Sequence, residues 1–158
     1  RGAVIQGGLL ATASRCETRA RRDGLSGSSL RQAIRAACDA AGLEPADVGH
    51  VNAHGASTVD MDRAEAQAIA AVLGNVPVTA PKSFFGHLGA GGGVVELAAS
   101  VVGFARGLVP PTLNYNTPDP ECPVNVIHGG PLAGRPATAV KVNLCSTGQA
   151  VAVVIRGP

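Results

Sequence analysis

The feature that most constrains this chain is the regular return of short apolar, β-branched runs, each separated from the next by a helical pattern or a proline- and glycine-rich stretch. Such runs occur at Ala3–Ile5, Val48–Ala53, Val76–Thr79, Val124–Ile127, Ala139–Val142 and Ala150–Ile155, each of strand length. Between them, Leu30, Ile34 and Ala37 share one face of a helix predicted from a Ser28 or Ser29 cap to about Ala41, with Gly42 as its stop. Asp60 can cap a second helix over Met61–Leu73, and a third runs from about Gly93 to Ala105. The third is apolar nearly all round, with only Glu96 and Ser100 polar, which is the pattern of a helix buried between layers.

Strand–helix alternation followed by strands alone predicts a layered α/β domain with a mixed sheet of about five strands. The stretches Leu10–Gly27 and Val109–Cys122 read as irregular, the second because of Pro110, Pro111, Pro118 and Pro120. At 158 residues the chain fits one domain, read as 1–158, and its start at Arg1 without an initiator methionine is expected of a chain either processed or excised from something longer.

Composition narrows the function classes. A net charge of +2 and 3% aromatic residues give neither the charge nor the stacking platforms that nucleic-acid binding needs. No apolar run is long enough to span a membrane, and the cysteines at 16, 38, 122 and 145 form no C-x-x-C pair. The expectation is a reduced, cytoplasmic protein without a metal site.

Two histidines sit where strands end, the usual place for ligand sites in open α/β sheets: His54 after the run Val48–Ala53, and His87 after Gly86. Lys82 stands shortly before His87, and Glu96 is the lone carboxylate of the apolar helix, so a Lys82–Glu96 pair is the economical expectation. His50 and His128 have no motif around them and receive no role.

The words these residues form go further. Val51-Asn52-Ala53-His54-Gly55-Ala56-Ser57-Thr58, with Asp62 and Glu65 behind, resembles the V-x-A-H-G-T-x-T-x-x-x-D-x-x-E signature of β-ketoacyl synthases. Lys82-Ser83-Phe84-Phe85-Gly86-His87, followed by Gly89, Ala90 and Glu96, is similar to that family's K-S-x-x-G-H motif, and Pro110-Pro111-Thr112-Leu113-Asn114 to its P-P-T-x-N segment.

The resemblance implies a thiolase-like fold made of two similar halves, of which this chain is the C-terminal one, the N-terminal half lying elsewhere. It implies decarboxylative condensation of an acyl thioester with malonyl-acyl carrier protein, the acyl-bearing cysteine belonging to the N-terminal half, so that the chain alone would not turn over. His54 and His87 would be the active-site histidines and Lys82 would order them through Glu96 and Asp62. Glu65 would support the loop, Thr58 would hold the phosphopantetheine arm, and Phe85 would stand on the substrate side.

Two departures stand out. Ala56 replaces a threonine of the signature, and Asn143-Leu144-Cys145-Ser146-Thr147-Gly148-Gln149 keeps the asparagine and a glycine of N-x-F-G-F-G-G but neither phenylalanine. Cys145 and Thr147 therefore imply a different gate to the acyl pocket, a more open pocket or an altered substrate, with Cys145 either a filler beside the site or a reactive thiol as in thiolases. The resemblance also implies a homodimer, no organic cofactor, and acyl carrier protein as partner; Arg15, Arg19, Arg21 and Arg22 are either a solvated loop or a patch that steers the acidic carrier protein or the phosphopantetheine phosphate by charge. The rival readings are a non-catalytic partner that shapes chain length, and a carrier-protein-binding module.

Overall fold

A computed structural model of the chain describes residues 2–18 and 24–158. Its main sheet has six strands in the order β1 (Gly8–Cys16), β8 (Gln149–Arg156), β7 (Thr138–Leu144), β2 (His50–Asn52), β3 (Pro77–Thr79) and β5 (Asn125–Val126). In this order β8 runs antiparallel to both of its neighbours, β1 and β7, while β7, β2, β3 and β5 are parallel, so the sheet is mixed as expected but has one strand more. A separate two-stranded ribbon joins β4 (Leu108–Val109) to β6 (Leu132–Ala133).

The extra strand is a correction. Ala3–Ile5 is not a strand, and Val4 and Ile5 are exposed, whereas the segment read as irregular from Leu10 onward is β1 as far as Cys16. An edge strand needs only backbone pairing to one neighbour, and β1 obtains it from β8 along its whole length.

The helices α1 (Ser28–Ala41), α2 (Val59–Leu73) and α4 (Gly92–Arg106) fall where their patterns put them, but the starts of α1 and α2 differ in mechanism; the short helix α3 (Lys82–Phe85) was not expected. Ser28 and Ser29 lie inside α1, and the capping group is Glu17 at the end of β1. Its carboxylate accepts from the N–H groups of Ser26 at 2.8 Å and Ser29 at 3.0 Å, and from the Ser28 hydroxyl. Burial works against that charge, yet the bonds from Ser28, Ser29 and Ser26 overcome it and hold the carboxyl at about 2. In α2 the helix begins at Val59, so Asp60 lies within its first turn instead of before it.

Alternation along the strands divides the sheet into two unlike faces. Val51, Val140, Val142, Ala152 and Val154 meet Leu30, Ile34 and Ala37 of α1 and Ala68 and Ile69 of α2 in one aliphatic core. Burying each of the larger side chains there contributes roughly 1.5–3 kcal/mol. The opposite face turns His50, Asn52 and Lys141 toward α4, where they meet Ser100 and Glu96.

That second contact overturns the expectation for α4. Gly92, Glu96, Ser100 and Gly103 recur at helical spacing on its buried side, while Val94, Val95 and Val102 are 74%, 41% and 52% exposed. The helix is inside-out with respect to this chain: its polar stripe faces the sheet and its apolar stripe faces outward.

Candidate active site

The site forms at the carboxyl ends of β2 and β3. The chain leaves β2 at Asn52 and turns at His54, whose main-chain N–H donates to Glu65 Oε1 at 2.6 Å while that of Gly55 donates to Oε2 at 2.8 Å. Glu65 is buried on α2, and burial pushes its carboxyl up against the pull of these two N–H groups. It therefore pins the loop by its backbone and leaves the imidazole free.

His54 and His87 meet edge to face, ring centroids 5.9 Å apart and planes at 86°. His54 is half-buried and His87 exposed. The N–H of Gly89 donates to His87 Nδ1 at 3.0 Å, so in the neutral ring the proton sits on Nε2. On His54, Nδ1 is contested: the Lys82 ammonium lies 3.2 Å from it, and so does Asn143 Oδ1. A cation beside Nδ1 favours its lone pair, which again puts the proton on Nε2. Burial, and after it the charge of Lys82, lowers the His54 pKa, so the ring is neutral at pH 7.

Lys82 is itself buried and donates to the His54 carbonyl at 2.6 Å and to Glu96 Oε1 at 2.5 Å. The pair expected from the sequence is thus present. Asp62 does not share it: the structure gives no bond from Lys82 to Asp62, which lines a cavity of about 370 Å³ with Thr58, Tyr115 and Cys122. Burial raises the Asp62 carboxyl despite the N–H groups of Ala56, Thr58 and Ser57.

Thr58, Cys145 and Thr147 are exposed, and the Thr147 hydroxyl lies 3.2 Å from Cys145 Sγ. That hydroxyl lowers the Cys145 pKa. Phe85 is half-buried and, with Phe84, lines a groove against the outward face of α4. Arg15 is exposed on β1, while Arg19, Arg21 and Arg22 lie outside the described residues. Among the described residues no group of three His, Cys, Asp or Glu side chains could hold a metal ion.

Residues 3–116 match the family model for the β-ketoacyl synthase C-terminal domain. The chain belongs to the β-ketoacyl synthase family. The 3-oxoacyl-[acyl-carrier-protein] synthase 2 of Synechocystis sp. is 38% identical over 134 residues, which cover 82% of this chain and 32% of that protein. Among solved structures, the ishigamide ketosynthase/chain length factor superposes with a TM-score of 0.91 at 25% identity, over 99% of this chain and 39% of that one. A type II polyketide synthase acyl carrier protein in complex with its ketosynthase bound to the hexaketide gives 0.88 at 30% identity, over 99% and 40%. The chain thus spans about a third of the length of the β-ketoacyl synthase relative it matches.

Sequence reasoning missed one member of this candidate site. Lys141, mid-strand in β7, places its Nζ 2.5 Å from Glu96 Oε2, so the carboxylate lies between two ammoniums. Two opposing charges hold Glu96 below the usual carboxylate range although burial pulls the other way, and burial pulls Lys141 down. The detectable signal was a lysine inside an otherwise apolar strand facing a helix with a single carboxylate.

His50, left without a role, is buried beneath this cluster. Its Nε2 lies 2.9 Å from Ser100 Oγ, which also accepts from Asn52 Nδ2 at 2.9 Å. Burial, and then Arg135, lowers its pKa from 6.5 to about 4. The unfolded chain therefore binds the proton first, and stability falls as pH drops from about 6.5 toward 4, by about 3 kcal/mol in order of magnitude. Denaturant midpoints measured across that window should drop more steeply for the native chain than for His50→Gln, and equal slopes would show that His50 does not contribute.

Proposed function

We propose that the chain is the C-terminal half of a condensing enzyme that joins an acyl thioester to a malonyl unit on acyl carrier protein, with loss of carbon dioxide. The observation that carries this reading is the edge-to-face pair of His54 and His87, each with its Nδ1 occupied by a donor and its Nε2 without a partner among the described residues. Two Nε2–H groups can serve one oxygen. When malonyl thioester loses carbon dioxide, the electrons of the broken C–C bond move onto the thioester oxygen, and fixed donors there lower the barrier. The carbon then attacks the acyl carbonyl, and the thiolate of the acyl-bearing cysteine leaves.

None of the four cysteines here is placed for that nucleophile on this reading; it belongs to the N-terminal half. The outward apolar stripe of α4 supports the two-half arrangement, because Val95, Val102, Phe84, Phe85 and Pro110 line a groove of about 560 Å³ that a second layer would cover. Thr58 would bind the phosphopantetheine arm. Carrier protein is the expected partner, as in the similar complex of an acyl carrier protein with its ketosynthase. By the family resemblance the whole enzyme would be a cytoplasmic homodimer. Among the described residues no helix is long and apolar enough to cross a membrane.

One observation favours a second reading, a partner subunit that shapes chain length: Asn143–Gln149 carries neither phenylalanine of the family loop. Carbon dioxide release from malonyl-acyl carrier protein separates the two. The synthase containing this chain and its N-terminal half should release it, and the chain alone should not; association of the halves with no release supports the chain-length partner instead.

A further inference from the structure

Lys141 is 1% exposed, and besides Glu96 Oε2 its ammonium reaches the carbonyls of Val142 at 2.6 Å, Ala53 at 3.2 Å and Asn52 at 3.4 Å. Glu96 is 0% exposed and already has a cation on its other oxygen, Lys82 at 2.5 Å. Burying a second ammonium against a carboxylate that is already paired costs several kcal/mol of desolvation, so a purely stabilising role is a poor account of it.

The geometry around Lys82 supplies a better one. An ammonium has three protons, and Lys82 directs its own at Glu96 Oε1, the His54 carbonyl and His54 Nδ1. Asn143 Oδ1 waits 3.2 Å from the same Nδ1 and would accept from it in the other tautomer. The tautomer of His54 thus depends on whether Lys82 keeps its third proton on the ring.

We propose that Lys141 is a positioning residue for His54: by occupying Glu96 Oε2 it stops the carboxylate from taking Lys82 with both oxygens, and so keeps the ring proton on Nε2. Without Lys141, Glu96 turns both oxygens to Lys82, the ammonium is drawn off Nδ1, and the Nδ1–H form bonded to Asn143 takes over. Nε2 is then a bare lone pair with nothing to donate. Glu65 cannot replace Glu96, since both its oxygens are held by the N–H groups of His54 and Gly55.

The inference rests on the reading of His54 as an oxygen-stabilising donor, but its first test needs no substrate. Nitrogen-15 NMR of the His54 imidazole reports the tautomer directly. In the native chain Nε2 should carry the proton; Lys141→Met should shift the tautomer ratio toward Nδ1–H about tenfold or more. Because Lys141 acts through Glu96, the E96Q and E96Q/K141M variants should share one altered ratio. A folded K141M chain with the native tautomer overturns the proposal, and so does a large further shift from E96Q to E96Q/K141M. If K141M does not fold, the E96Q pair decides, a native tautomer in both being the overturning result.

In the synthase, K141M should lower kcat for decarboxylation about ten- to a hundredfold with KM for malonyl-acyl carrier protein unchanged, and Lys141→Arg should restore part of it. A tautomer shift in a synthase that releases no carbon dioxide even as the native enzyme would sink the proposed function and leave the role of Lys141 standing.

Discussion

Replacing Glu96 by alanine should lower the unfolding free energy by about 3–5 kcal/mol, the range seen when one partner of a buried ionic cluster is removed. The carboxylate is buried between Lys82 and Lys141, 2.5 Å from each, so its loss leaves two ammoniums facing one another in a site that water does not reach. Urea denaturation at pH 7 measures the effect, read from the midpoint at constant slope. The sign of the pH dependence gives a second check. Lys141 has its folded pKa depressed by burial, and without Glu96 it falls further, so stability should rise with pH toward the free-lysine range by more in the variant than in the native chain. A loss below about 1 kcal/mol, within the range of exposed ion pairs, would show the cluster to be solvated.

The largest effect on rate is expected from His54→Ala. Removing one preorganised donor at an oxygen that gains charge typically costs about a hundred- to a thousandfold. The backbone anchors of this loop survive the substitution, because Glu65 holds the N–H groups of residues 54 and 55, and Lys82 donates to the carbonyl of residue 54. The fold should therefore be little changed, and a thermal midpoint close to native would confirm it. In the synthase, decarboxylation of malonyl-acyl carrier protein should collapse while transfer of the acyl group to the cysteine persists, because that step does not build charge on the malonyl oxygen. Decarboxylation at the native rate would remove His54 from the reaction.

Much of this site was legible in the residue order because its signals are local. A single carboxylate on an apolar helix asks for a cation, and Lys82 was the nearest one along the chain to a strand-end histidine. Lys141 was not legible in the same way, since a lysine within Ala139–Val142 is compatible with either face of a strand and only the packing of α4 decides which. The same limit explains the start of α1. Capping rules look at adjacent residues, whereas Glu17 reaches Ser29 from another element. The strand β1 escaped because an edge strand with exposed Leu9 and Leu10 shows no clean alternation. The apolar content of α4 was legible and the exposure of Val94, Val95 and Val102 in this chain was not, because composition shows an apolar helix but not what lies opposite it.

The connection between β7 and β8 behaves as a bridge slung between two fixed piers. At one end Asn143 packs so tightly on α4 that a side chain at Gly93 would come within 2.8 Å of its amide, and it touches His54 as well. At the other, Gly148 has φ +92° and lies so near the Glu17 carbonyl that a Cβ would fall 2.1 Å from it. Glu17 is also the cap of α1, so a larger residue at 148 would disturb the helix start along with the loop. Cys145, Ser146 and Thr147 hang between these piers in solvent, with no core to disrupt. These three positions can therefore change while the histidine site and the helix frame on either side stay where they are, and under the proposed function this span is the place to begin when retuning substrate choice.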